Sequence, residues 1–139
     1  MFDSRRSKEG GKRAIMKTLL LTGCFDVLHL GHIRIIQFAN SLCGRLIIAI
    51  DSDEKVKVEK GSSRPFNSQK DRKEFLDSVK GVDEVRIFDS RENLESLCKE
   101  VAPDYRLVGS DWRGKKIVGE EYCKEIIYYD RIPGYSTTN

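Results

Sequence analysis

The sequence lacks several features that would place it in a specialised class of protein. It has no apolar run approaching the roughly 20 residues of a membrane-spanning helix, and no apolar secretion signal at its N-terminus. Its four cysteines are scattered with no Cys-x-x-Cys pair, which argues against a disulfide framework or a zinc site. The net charge of +3 is too small an excess to indicate nucleic-acid binding by itself. These absences favour a soluble protein of the cytoplasm with reduced thiols.

The chain of 139 residues has the length of one domain preceded by a short segment of different composition. Residues 1–15 are polar and basic and show no periodicity, so we predict a flexible tail there. Residues 16–139 form the predicted domain. Because the sequence stops at Asn139, just where residues 136–138 would begin a helix, we expect the final helix to be absent or trimmed.

Apolar runs and helical patterns alternate along the predicted domain. We predict helices from about His32 to Cys43, from Asn67 or Ser68 towards Gly81 with Phe75, Leu76 and Val79 inward, and from Asn93 to Val101. Asp51-Ser52-Asp53 is predicted to end the second strand, and the charged segment that follows, through Ser63, is predicted to be a loop. The alternation predicts an α/β fold, a Rossmann-like open parallel sheet of about five strands with helices on both faces. The predicted strands are 18–22, 45–50, 84–88, 105–109 and 125–129.

The most informative segment is 22–32, which joins the first strand to the first helix and contains both histidines of the chain, His29 and His32. A helix N-terminus presents unpaired N–H groups and a partial positive charge, so it binds anions. Two imidazoles at that position are suited to a phosphate group and to charge that develops on it. Taken alone, two such histidines are more often capping or surface residues, or half of a metal site that needs more ligands.

Two further polar segments, 109–115 and 131–138, also follow predicted strands. Ligands of open parallel sheets bind at the carboxyl ends of strands, so these segments belong to the same rim as segment 22–32. Asp111 could accept a hydrogen bond from a base or a ribose, Trp112 could stack or simply pack, and Arg131 could grip a phosphate. The hydroxyls at 136–138 suit phosphate binding or a plain helix cap.

Four segments resemble known nucleotidyltransferases. Gly23, Phe25, Asp26, His29, Gly31 and His32 match every fixed position of the pattern Gly-x-Phe-Asp-x-x-His-x-Gly-His of the cytidylyltransferase-like nucleotidyltransferases. Segments 109–115 and 131–138 are similar to motifs of glycerol-3-phosphate cytidylyltransferases, with Tyr135 in place of Ile. Segment 57–67 looks more like the heptose 1-phosphate adenylyltransferase domain, which 134–138 also fits.

The resemblance implies the nucleotidyltransferase fold with the His-x-Gly-His motif and a single displacement at the α-phosphorus of a nucleoside triphosphate, without a covalent intermediate. Mg²⁺ would be bound with the triphosphate, with no metal site formed by the protein, and the chain would be a homodimer. The implied catalytic residues are His29, His32, Arg131 and a lysine, Lys57 or alternatively Lys60. The implied nucleotide-binding residues are Thr22, Gly23, Cys24, Phe25, Asp26, Gly31, Lys60, Gly109, Asp111, Trp112, Tyr135, Ser136, Thr137 and Thr138.

The two relatives disagree about the nucleotide. The Asp111–Trp112 pair favours CTP, and hence transfer of CMP to a small phosphorylated acceptor such as glycerol 3-phosphate. The alternatives are adenylyl transfer from ATP to a sugar 1-phosphate, and a nucleotide-binding module without catalysis. An enzyme acting on nucleic acid fits less well because the chain has no domain to bind one and only a short basic tail, so we expect no nucleic-acid or membrane partner.

Overall fold

The structure, a computed structural model, describes residues 17–130 and forms a three-layer α/β fold. The tail at 1–15 lies outside the described residues, as do Arg131, Tyr135, Ser136, Thr137 and Thr138, so their assignments stay predictions. The strands are β1 (Thr18–Gly23), β2 (Arg45–Asp51), β3 (Glu84–Phe88), β4 (Tyr105–Gly109) and β5 (Glu125–Tyr129). The helices are α1 (Leu30–Leu42), α2 (Asp53–Lys60), α3 (Gln69–Asp77) and α4 (Arg91–Val101), with short 3₁₀ turns at Ser110–Trp112 and Glu120–Tyr122.

All five strands are parallel and lie in the order β3-β2-β1-β4-β5. The chain therefore builds the sheet in one direction from β1 to β3 and then crosses to the other side of β1 for β4 and β5. Such a reversal leaves a crevice between the ends of the two strands where it occurs, here β1 and β4. The predicted fold class is confirmed, and each of the five predicted strands is present.

Burial on both faces of the sheet explains why the strands are apolar without interruption. Leu19 and Leu21 of β1 point into one core cluster together with Ile36 of α1 and Leu76 of α3. Leu20 points into a second cluster on the opposite face, together with side chains of α4. None of the described helices is long and apolar enough to cross a membrane.

The segment after β2 is a helix and not the predicted loop. Ser52 caps α2 by accepting a hydrogen bond from the Lys55 backbone N–H at 3.2 Å. Acidic residues occupy the first turn of α2 and lysines the last, which complements the helix dipole. Only Val56 of this helix is buried, so the apolar periodicity that marks a helix in a sequence is nearly absent.

The helix α3 differs from the prediction in the exposure of Phe75 and in the residue at which it ends. Leu76 is buried and Val79 packs against the first core cluster, but Phe75 is 56% exposed. The helix begins after the cap Ser68 and ends at Asp77, so Val79 follows the helix and is not part of it.

Candidate active site

The turn between β1 and α1 uses both histidines to close the start of the helix. His29 is the N-cap residue, and its Nδ1 accepts a hydrogen bond from the Gly31 N–H at 3.0 Å. The Nδ1 of His32 accepts in return from the His29 N–H at 3.2 Å, which completes a reciprocal capping box. The helix α1 begins at Leu30, two residues before the predicted His32, because its N-cap residue is His29.

These hydrogen bonds determine what the imidazoles can offer to a ligand. A ring nitrogen that accepts a hydrogen bond carries no proton, so each neutral ring has its proton on Nε2. Burial, with a smaller contribution from His29, lowers the pKa of His32 to about 4. His32 is therefore neutral at physiological pH and presents an Nε2–H donor at a helix N-terminus.

Phe25 packs against the ring of His32 from the side of the protein core. Its ring is 5% exposed, belongs to the first core cluster and lies 5.1 Å from the ring of His32, centroid to centroid. The two imidazole centroids are 4.1 Å apart. Phe25 adopts a positive φ of 53°, and a Cβ on Gly23 would lie 2.8 Å from the Phe25 ring. The tight turn thus requires glycine at position 23, and the Phe25 side chain serves packing.

Asp26 is buried, and its carboxylate accepts three hydrogen bonds from the segment 64–67. It accepts hydrogen bonds from the backbone N–H groups of Phe66 and Asn67, each at 2.8 Å, and from Arg64 Nε at 3.1 Å. Burial raises the pKa of Asp26, but these hydrogen bonds outweigh it and hold the pKa below its ordinary value. Asp26 therefore anchors the 64–67 loop to the turn, with Arg64 as its ion-pair partner.

Arg72 of α3 is a buried residue that the sequence analysis did not single out. Its Nη1 donates to the carbonyl oxygens of Cys24 and Asp51 at 2.9 and 2.8 Å. Its Nε donates to the Asn67 carbonyl at 3.0 Å, and its Nη2 to Asp53 Oδ1 at 2.8 Å. One guanidinium thus joins the turn, the end of β2, the start of α2 and the 64–67 loop.

The two candidate lysines both lie exposed on α2, with Lys60 at its last position. Burial raises the pKa of the Cys24 thiol, and the Lys60 ammonium opposes that shift. Lys60 also acts against the burial that raises the pKa of Asp51. The charge of Lys60 therefore lowers both pKa values at the turn, whereas Lys57 is not among the main causes of either shift. The protonated Cys24 thiol is unsuited to nucleophilic chemistry.

A cleft of about 490 Å³ opens at the carboxyl ends of β1, β2, β3 and β4, bordered by α2, α4 and residues 112–118. Its position includes the ends of β1 and β4, where the strand order reverses. Its volume lies in the range of small-molecule sites. Thr22, Gly23, Gly109 and Trp112 of the predicted site line this cleft.

The segment after β4 places Trp112 at the rim of the cleft. Trp112 is 46% exposed, with the Lys115 ammonium 5.9 Å from its ring centroid. A Cβ on Gly109 would lie 2.7 Å from Asp111 Oδ1, so the Asp111 carboxylate packs directly on that glycine. An exposed indole can stack on a base, but its π-face accepts any base and does not select one.

The cleft also contains charged residues that the sequence analysis missed. Arg106 of β4 is buried at its floor, while Lys55 of α2 and Arg91 of α4 lie at its sides. Arg106 interrupts an apolar strand in the sequence, which is a signal that could have marked it as functional. Lys55 and Arg91 lie in charged helices, where the sequence carries no such signal.

Comparisons with known proteins agree with this geometry. A sequence model of the family described as Cytidylyltransferase-like matches residues 20–138, which is most of the chain.

Two similar proteins are both called bifunctional protein HldE. The protein from Campylobacter fetus subsp. fetus is 44% identical over 124 residues, covering 88% of this chain and 27% of the relative. That from a Nitratiruptor species is 42% identical over 132 residues, covering 95% of this chain and 28% of the relative. The chain thus spans about a quarter of the length of these relatives.

Among solved structures, the chain is similar to the lipopolysaccharide core biosynthesis protein from Thermoplasma volcanium GSS1. The TM-score is 0.67 at 22% identity, and the match covers 83% of this chain and 98% of that one. At this level of identity the likeness establishes the fold alone.

Proposed function

Because the chain belongs to the cytidylyltransferase-like family of nucleotidyltransferases, we propose that it transfers an adenylyl group from ATP to a sugar 1-phosphate and releases pyrophosphate. The observation that carries the proposal is the histidine capping box, which holds two Nε2–H donors at the start of α1. Nε2–H donors at a helix N-terminus suit a phosphate whose negative charge grows during the reaction.

In the proposed reaction, a phosphate oxygen of the acceptor attacks the α-phosphorus, and the bond to the pyrophosphate leaving group breaks. His29 and His32 stabilise the charge on the α-phosphate oxygens through Nε2–H. We assign the assisting lysine to Lys60, because its charge reaches the turn at Cys24 and Asp51. Arg131, Ser136 and Thr137 would hold the remaining phosphates, as the family resemblance implies. Positioning and charge stabilisation account for such catalysis without a covalent step.

Mg²⁺ is proposed to enter with the triphosphate. Among residues 17–130, no three His, Cys, Asp or Glu side chains are grouped to hold a metal. Mg²⁺ commonly binds through substrate phosphates and retained waters with few protein ligands, so this part of the chain fits an ion carried by ATP. The ion would neutralise phosphate charge.

The choice of ATP over CTP rests on the relatives. The similarity to HldE proteins favours heptose 1-phosphate adenylyl transfer over CMP transfer to glycerol 3-phosphate. The resemblance of segment 57–67 to the heptose-type domain points the same way. The Asp111–Trp112 pair, which favoured CTP, loses weight because Trp112 offers a stacking surface that both bases can use. The homodimer remains a proposal.

The test is pyrophosphate release with Mg²⁺, crossing ATP and CTP against a heptose 1-phosphate and glycerol 3-phosphate. We expect release with ATP and the sugar phosphate, and we expect His32→Ala to lower the rate by about 10²–10³. Ser41→Ala, at an exposed position of the same helix, is the control and should retain wild-type turnover. Release only with CTP and glycerol 3-phosphate would overturn the proposal. Tight nucleotide binding without release for any acceptor would favour the non-catalytic module.

A further inference from the structure

The floor of the cleft contains a buried cation that no carboxylate of the described residues pairs with. Arg106 is 3% exposed, and no carboxylate of the described residues lies within 4.0 Å of its guanidinium. Its Nη1 donates to the Val118 carbonyl at 2.8 Å and to Cys98 Sγ at 3.4 Å, and its Nη2 to Thr22 Oγ1 at 3.4 Å. Its buried Nε makes no hydrogen bond within residues 17–130. All three acceptors are neutral. The nearby Cys123 thiol, whose pKa is lowered to about 7 first by its hydrogen bond with Cys98 and then by the Arg106 charge, offsets that charge only in part. A buried charge left in this state is costly.

The charges around the cleft favour an anion as the missing partner. Lys55 is already paired with Glu59 and lies 4.0 Å from Asp51, so these three side chains together leave one negative charge. Arg91 and Lys116 are exposed at the rim, and neither makes an ion pair within the described part of the chain. With Arg106 at the floor, the cleft therefore has a positive potential that attracts anions.

Resting on the proposed function, we propose that Arg106 and Thr22 bind the phosphate monoester of the sugar acceptor. A hydroxyl has one proton to donate and can also accept. Since Thr22 Oγ1 accepts from Arg106, its own proton is available for a phosphate oxygen. The two residues lie on β4 and β1, the adjacent strands at the reversal of strand order.

The rest of the cleft suits the sugar. Thr22 and Gly23 lead directly into the turn that contains the histidines, so a phosphate held by Thr22 lies beside the segment assigned to the α-phosphate. Phe88, Leu94 and Ile117 form an apolar wall for the less polar face of a sugar ring. The carboxylate oxygens of Asp51 and Glu59, which also line the cleft, can accept hydrogen bonds from sugar hydroxyls.

The test is calorimetric titration of the full chain with a heptose 1-phosphate, with mannose 1-phosphate and, separately, with ATP. Loss of a charge-assisted hydrogen bond should weaken sugar phosphate binding by Arg106→Gln at least about tenfold and leave ATP affinity unchanged. The control is Arg45→Gln, which removes the same charge from an exposed position at the other end of the sheet. Unchanged sugar phosphate binding by Arg106→Gln would overturn the proposal. So would loss of ATP affinity alone, or failure of the wild-type protein to bind either sugar phosphate.

Two further variants decide the matter if Arg106→Gln does not fold, as judged by circular dichroism. Arg106→Lys keeps the charge and Thr22→Val keeps the shape of the side chain. Both should weaken binding of the sugar phosphates, and wild-type affinity in both would contradict the proposal.

Pyrophosphate release separates this inference from the proposed function. If Arg106→Gln loses sugar phosphate binding and no nucleotide supports release, only the activity is wrong. If release occurs and Arg106→Gln leaves the acceptor KM unchanged, only the role of Arg106 is wrong.

Discussion

At the scale of single residues, the structural role of the two histidines and the chemical role that we propose for them depend on the same hydrogen bonds. Each Nδ1 closes the helix start by accepting a backbone N–H. That bond fixes the ring orientation and leaves the proton on Nε2. Capping and catalysis, which appeared as competing interpretations of the sequence, are therefore compatible. A substitution here removes a cap and a donor together, so its effect on rate has to be separated from its effect on stability.

The lowered pKa of His32 predicts how stability depends on pH. Above pH 6.5 the ring is neutral in both the folded and the unfolded chain, and its contribution does not change. Between pH 6.5 and about 4 the unfolded chain binds a proton that the folded chain does not. The free energy of unfolding should therefore fall with decreasing pH, by up to about 1.4 kcal/mol per pH unit.

Urea titrations at pH 7.5, 6 and 5 test this prediction. His32→Gln, whose amide can still accept and donate, is the matched variant and should lose less stability over the same interval. Asp26 affects stability in a separate pH range. Because its pKa is lowered in the folded protein, its contribution to the free energy of unfolding disappears only as the pH falls below about 3.8. Equal pH slopes for the wild-type and His32→Gln proteins, or a His32 pKa near 6.5 by NMR, would contradict the assignment.

At the scale of elements, the 64–67 loop is held chiefly by three hydrogen bonds to the Asp26 carboxylate, with a further one from Arg72 to the Asn67 carbonyl. Asp26→Asn replaces one accepting oxygen with an NH₂ group that faces N–H donors. We expect this change to lower the free energy of unfolding by about 1–3 kcal/mol. The backbone amides of Phe66 and Asn67, which donate hydrogen bonds to this carboxylate in the wild-type protein, should exchange with solvent at least about tenfold faster in the variant.

Hydrogen exchange measured by NMR checks this expectation. Asp71→Asn makes the same chemical change on the exposed surface of α3 and should leave both amides protected. Protection of Phe66 and Asn67 that survives Asp26→Asn would mean that other contacts hold the loop.

Some elements were predictable from the sequence and others were not, for physical reasons. Strands such as 45–50 are buried on both faces and are therefore uninterrupted apolar runs. The helix α2 is held by its cap and by charges matched to its dipole, with Val56 as its only buried residue, so its sequence has the composition of a loop. The motif identified the turn, but the direction of each side chain was not contained in it. Asp26 belongs to the pattern and turns away from the cleft towards Asn67, whereas Arg106 lies outside the pattern and lines the cleft.

At the scale of the whole molecule, the central strand β1 belongs to two cores at once. Leu20 and Leu21 are fully or almost fully buried on opposite faces of the sheet. Leu20→Ala and Leu21→Ala should each lower the free energy of unfolding by about 2–5 kcal/mol. Because the same strand supports both clusters, neither core should melt before the other.

Circular dichroism and Trp112 fluorescence, followed through urea unfolding, provide the measurement. In both variants the two transitions should shift together and remain coincident, as two-state unfolding requires. Ser41→Ala on the exposed face of α1 should leave the midpoint unchanged. Separate transitions in either variant would show that the two faces of the sheet unfold independently.

The four-way hydrogen bonding of Arg72 also constrains how this sequence can evolve. Its guanidinium has a rigid planar geometry, and its acceptors belong to segments that are up to 48 positions away along the chain. An insertion or deletion within β2 or the turn after β1 would displace one acceptor relative to the others. We therefore expect changes of length to be tolerated chiefly in stretches that Arg72 does not reach, such as the exposed residues 113–116 at the rim of the cleft. The part of the cleft bordered by those residues can change its dimensions, and so its ligand, while the turn with the histidines stays unaltered.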